Sequence, residues 1–134
     1  MKVVIDTNIW ISFLLGKTLT ALADHIVQGK IRIVLSYDLL AEFIQVVSRP
    51  KFKNIFDKGK TEELLTLLES FSIIVTPTQR VDDCRDKKDN IVLEAALAGG
   101  AKYIITGDED LLVLNPYQGV SIIRPKDFEL LIAE

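Results

Sequence analysis

The chain has 134 residues, 49% hydrophobic and 26% charged, with a formal net charge of −3 and one cysteine. That length suits one compact domain over residues 1–134, able to bury about two-thirds of its unfolded surface, and the composition excludes disorder. Short apolar runs broken by charge exclude a bilayer-spanning segment, and the three apolar residues between Lys2 and Asp6 are too few for a signal peptide. Cys84 cannot form an internal disulfide, which suits a reducing cytoplasm. With the only histidine, His25, remote in sequence, a nucleophilic thiol is not expected. The acidic balance weighs mildly against nucleic acid as a partner, unless several acids are gathered at a site where bound cations neutralise them.

In chain order, Lys2–Asp6 reads as a buried strand ending in the turn-prone Asp6-Thr7-Asn8. Residues 9–15 and 19–29 read as helices, the second closed by Gly29. Residues 31–35 are rich in β-branched types and form a second strand. Ser36 is placed to cap the next helix, in which Leu39, Leu40, Phe43, Ile44, Val46 and Val47 fall at helical spacing until Arg49-Pro50 stops it. Residues 61–70 predict a further helix and 73–75 a third strand ended by Pro77. Asp89 stands at the N-cap of helix 90–98, which Gly99-Gly100 closes. Strand 102–106, a short helix at 109–113, strand 120–123 and a last helix opened by Pro125 complete the chain. Crossovers of this length predict a three-layer α/β/α fold around a central, mainly parallel five-stranded sheet. In such sheets the working site lies beyond the carboxyl ends of the strands.

Acidic residues gather at those ends. Asp6 closes the first strand, and Asp108 and Asp110 follow the fourth. Asp89 opens a helix whose inward face carries Val92, Leu93 and Ala96, with Ala95, Ala96 and Ala98 allowing close packing on the sheet. Glu42 lies only about 40° around its helix from Val46, at the border of the apolar stripe. Each acid also has a plain structural use: Asp6, Asp89 and Asp108 as helix caps, Asp110 as a first-turn acid, Glu42 as a boundary residue. Asp24, Asp38, Asp57 and Asp127 read as surface residues or caps. Taken together, carboxylates facing a core need pairing or a cation, and gathered ones raise one another's pKa. Oxygen donors without clustered His or Cys fit Mg²⁺ or Mn²⁺ rather than structural zinc. Two such ions about 4 Å apart activate water and stabilise a leaving oxygen in phosphodiester hydrolysis.

Val4-Ile-Asp6-Thr-Asn8, Ala41-Glu42-Phe43, Asp86-Lys-Lys-Asp89-Asn90 and Thr106-Gly-Asp108-Glu-Asp110 occur in this order. They resemble the four acidic motifs of PIN domains, and the resemblance covers the whole chain. Ser48-Arg-Pro-Lys-Phe52 is similar to a stretch found in prokaryotic PIN proteins described as toxin components of toxin–antitoxin pairs. The resemblance implies a Mg²⁺- or Mn²⁺-dependent endoribonuclease, often a homodimer, often held inactive by a cognate antitoxin protein. Carried over residue by residue, Asp6, Glu42 and Asp89 match the first three acids. The fourth is open between Asp108, the first choice, and Asp110. Asp6, Asp89 and Asp108 are the implied metal ligands, with Asn8 and Thr106 orienting them. Asp86, able to replace or assist Asp89, ranks lower.

Residues 49–60 are locally basic, with Arg49, Lys51, Lys53, Lys58 and Lys60 against Asp57, and Phe52 and Phe56 interleaved. They suit an RNA backbone with some aromatic stacking, or equally a solvated face over two buried rings. Arg85, Lys87 and Lys88 flank the acids and are candidates for phosphate contact. Trp10, Ile11, Phe13 and Leu14 are too dense for one helical face and suit core packing or a subunit contact. A haloacid-dehalogenase-like phosphatase would need a second Asp where Asn8 stands, and a receiver domain an Asp where Thr76-Pro77 follows the third strand. The remaining rival is a catalytically weak PIN-like module that binds RNA or protein.

Overall fold

The computed structural model describes residues 1–16, 18–52, 55 and 58–133. Lys53, Phe56 and Asp57, named above, lie outside the described residues. Five strands, β1 (Lys2–Ile5), β2 (Arg32–Ser36), β3 (Ile73–Val75), β4 (Tyr103–Ile105) and β5 (Ser121–Ile123), form one sheet in the order β3-β2-β1-β4-β5. Every pair is parallel, so the expected "mainly parallel" sheet is wholly so. Val3, Val4 and Ile5 are all buried. Consecutive strand residues point to opposite faces, so helices cover both faces and the fold is three-layered.

Among the described residues, seven α-helices connect and cover the strands: α1 (Thr7–Leu15), α2 (Thr18–Val27), α3 (Tyr37–Val47), α4 (Lys58–Phe71), α5 (Asn90–Gly99), α6 (Glu109–Leu112) and α7 (Pro125–Ile132). α1 starts two residues earlier than its pattern predicts, directly after Asp6. Trp10, Ile11, Phe13 and Leu14 are all buried, Trp10 and Phe13 meeting edge to face at 6.0 Å, so their density reflects core packing. Ser36 caps α3, its Oγ accepting from the Leu39 N–H at 3.2 Å. On α3 the buried face is Leu39, Phe43 and Val46, while Ile44, expected in the stripe, is exposed.

α5 is the helix that matters most for the site, and it lies against β1 and β2. Val92, Leu93, Ala95 and Ala96 are buried as expected, but Ala98 is exposed. The close approach is made instead at Gly99, where a β-carbon would sit 2.4 Å from Val34 Cγ1. Gly100 then ends the helix in the left-handed region, at φ 63°. No described helix is long and apolar enough to cross a membrane.

Candidate active site

β1 and β4 are neighbours, yet the chain visits β2 and β3 on one side before crossing to β4 on the other. The winding therefore reverses between them, and side chains just past their carboxyl ends converge at a topological switch point. Asp6, 5% exposed, stands there in the N-cap position of α1 but makes no cap. Its Oδ2 instead accepts from the Thr106 hydroxyl at 2.8 Å, and the same hydroxyl oxygen accepts from the Asp108 N–H at 3.0 Å. One buried threonine thus ties the acid after β1 to the loop after β4. Asp108 spends Oδ1 on the Asp110 N–H at 2.9 Å, capping α6.

Asp89 completes the approach from α5. It too occupies an N-cap position without capping. It is 8% exposed, and its Oδ2 is buried with no hydrogen-bond partner among the described residues. Carboxylate oxygens of Asp86, Asp89 and Asp108 all lie within 4.8 Å of one another. Burial first, then the close approach of the Asp108 carboxylate and the charges of Asp6, Asp108 and Asp86, push Asp89 up to about 8. Burial also raises Asp6, against the hydrogen bonds it accepts from Thr106 and Thr7. Glu42, half-buried on α3, is raised by burial and by Asp6, while the Thr7 hydroxyl, Lys88 and Arg49 pull it down.

These acids share one cleft of about 670 Å³, lined by Asp6, Asp38, Glu42, Asp86, Asp89 and Asp108, with Arg49 and Lys88 as its cations. The segment carrying Asp86 is held by Asn90, whose Oδ1 accepts from the Cys84 N–H at 2.9 Å and whose Nδ2 donates to the Lys87 carbonyl at 3.2 Å. Cys84 itself is buried and its thiol raised by burial, as suits an inert packing residue.

The predicted acids therefore divide. Asp6, Glu42, Asp89 and Asp108 converge on the cleft, and Asp86, ranked low from sequence, joins Asp89 and Asp108. Asp110 stays outside that group, because it sits two residues further round the turn that Asp108 caps. Thr106 lies between two of these acids, bonded to the Asp6 carboxylate and to the Asp108 N–H. Asn8 is exposed on the cleft rim, and it is Thr7, one residue earlier, that reaches Glu42. Among the predicted cations, Arg49 and Lys88 line the cleft. Lys87 is paired with Asp82 at 2.5 Å, Lys51 lies 5.0 Å over the Phe52 ring, and Arg85 is exposed outside the lining. Thr7 and Asn90 escaped the sequence reading although both lie inside the quoted motifs. Their signal was a short polar residue beside each acid.

A family description of the PIN domain matches residues 2–110. The chain is also similar to an uncharacterized protein of Methanocaldococcus jannaschii, 35% identical over 143 aligned positions that cover 96% of this chain and 89% of that one. With the match spanning β1 through the Asp108 loop, and so every acid of the cleft, the chain belongs to the PIN-domain family.

Proposed function

We propose that the chain is a divalent-metal-dependent endoribonuclease that hydrolyses RNA phosphodiester bonds at the acidic cleft. Asp89 carries this reading. A buried carboxylate oxygen with no donor, facing two further carboxylates within 4.8 Å, is costly for a protein to keep unless a cation completes it. The donors are all carboxylate oxygens, which fit a hard ion, Mg²⁺ or Mn²⁺, better than zinc or copper. Asp89 and Asp108, with Asp86 beside them and Asp6 across the cleft, would hold it. When bound, such an ion draws charge from a phosphoryl oxygen and acidifies water.

The chain's own residues do the remainder. Thr106 fixes Asp6 against the Asp108 loop. Glu42, raised by burial and facing Asp6, is the carboxylate suited to take a proton from the attacking water. Arg49 and Lys88 hold the RNA backbone and offset part of the acidity. Asp110, Lys51, Lys87 and Arg85 have no part in this reading. The likeness of Ser48–Phe52 to toxin components extends the proposal to a cytoplasmic toxin, a homodimer restrained by an antitoxin protein.

The test is incubation of purified protein with structured RNAs in Mn²⁺ or in chelator, beside an Asp6→Asn variant. Cleavage by the wild type in Mn²⁺ alone is expected. Absence of metal-dependent cleavage, or equal cleavage by the variant, would overturn the nuclease reading in favour of a binding module.

A further inference from the structure

Beside the acidic cleft a smaller depression of about 160 Å³ opens on the same edge of the sheet. Ser36 at the end of β2 and Thr76 and Pro77 after β3 contribute to its lining, with Tyr37 and Asp38 of the first turn of α3. Asp38 also lines the cleft, so the two are immediate neighbours. Tyr37 is 69% exposed, the most open aromatic ring among the described residues. The depression is also lined by Glu94, 5% exposed, and Arg80, whose side chain is 84% exposed.

The polar groups decide what fits. Glu94 Oε2 accepts from the Val81 N–H at 3.0 Å, while Oε1 faces Arg80 at 3.6 Å, beyond hydrogen-bond reach. The carboxylate therefore keeps acceptor capacity. Two carboxylates against one guanidinium leave the depression net negative, which repels a phosphate and favours a neutral group rich in N–H donors. The flat apolar surfaces of Tyr37 and Pro77 favour a planar one. The volume admits one ring system, not a longer segment.

Resting on the nuclease reading for the polymer in the cleft, we propose that this depression is a subsite for one unpaired nucleobase beside the cut phosphate. Tyr37 stacks on the base, and Asp38 and Glu94 accept from its Watson–Crick edge. Guanine, with ring N–H and amino donors side by side, fits best. Uracil, with a single N–H, fits worst.

Short uridine-background RNAs carrying one guanosine, cytidine, adenosine or no substitution test this in two arms. The first reads cleavage position and KM in Mn²⁺, and the second reads fluorescence anisotropy of the same RNAs in Ca²⁺. Wild type should prefer the guanosine RNA. Tyr37→Ala should raise Kd and KM about tenfold and lose that preference, while Tyr37→Phe keeps both. Equal affinity for all four RNAs, or a preference unchanged in Tyr37→Ala, overturns the subsite. So does a fall in molecular mass of Tyr37→Ala with RNA binding intact, which assigns the ring to a contact between copies. If the wild type cuts neither these RNAs nor the structured RNAs above, the nuclease reading fails by itself, and anisotropy alone then decides whether the depression selects a base.

Discussion

Asp89 and Glu94 are both buried carboxylates of the α5 region, five residues apart, and their surroundings differ in one respect. Glu94 has partners of opposite sign: the Val81 N–H donates to Oε2 at 3.0 Å, and the Arg80 guanidinium lies 3.6 Å from Oε1. Asp89 keeps a buried oxygen with no hydrogen-bond partner among the described residues, and the carboxylates of Asp86 and Asp108 lie close by. The first arrangement stabilises the fold by pinning the segment after β3 onto α5. The second works against the metal-free fold. A buried acid therefore marks a functional site by what is missing around it more than by its burial.

Breaking each acid should have opposite consequences. Asp89→Asn is expected to lower cleavage by at least about a hundredfold, since even residues that merely orient ligands cost about 10–100-fold. The same change should raise the metal-free melting temperature at pH 9, where Asp89 is charged, by a few degrees or about 1 kcal/mol. Thr106→Val sharpens the contrast from the other strand. It removes the hydroxyl shared by Asp6 and Asp108, and metal affinity should fall about 10–100-fold while Thr106→Ser restores most of it. Glu94→Ala should instead destabilise by about 2 kcal/mol in urea unfolding, the value of a charge-assisted hydrogen bond lost, and leave Mn²⁺ affinity within about threefold, as for a residue making no contact with the ion.

The pH dependence follows from the same difference. Asp89 is raised from 3.8 to about 8, and Asp6 and Glu42 are raised as well. Between those values the folded chain binds more protons than the unfolded one, so metal-free stability falls as pH rises from about 4 to about 8. Added Mn²⁺ should flatten that slope, because the ion replaces the proton and its affinity grows with pH. Thermal melts across this range with and without Mn²⁺ check the sign.

Much of the fold was legible in the sequence because it rests on local rules. Periodicity and turn residues mark all five strands and seven helices. Crossovers long enough to carry a helix imply parallel pairing, and the strand-end rule points to Asp6 and Asp108. What was not legible depends on distances across the fold. Asp86 joins the acids because Asn90 folds the Cys84–Lys88 segment back, a contact no spacing rule reveals. Asp110 falls away because Asp108 turns the chain as a cap. Gly99 takes the close-packing role expected of Ala98, because the close approach to Val34 comes one residue later on the helix. Glu94 stood inside an apolar helical run, and its partners come from residues 80 and 81, which carried no regular pattern.

The most direct test of the unpartnered acid is calorimetric titration of Mn²⁺ into the metal-free protein at pH 7, in two buffers of different ionisation enthalpy. The wild type should bind and release up to about one proton per ion, the proton that Asp89 holds at that pH. Asp89→Asn should bind at least about tenfold more weakly and release none of it. Binding by both proteins with equal affinity and no proton release, or no binding by the wild type, would contradict the account.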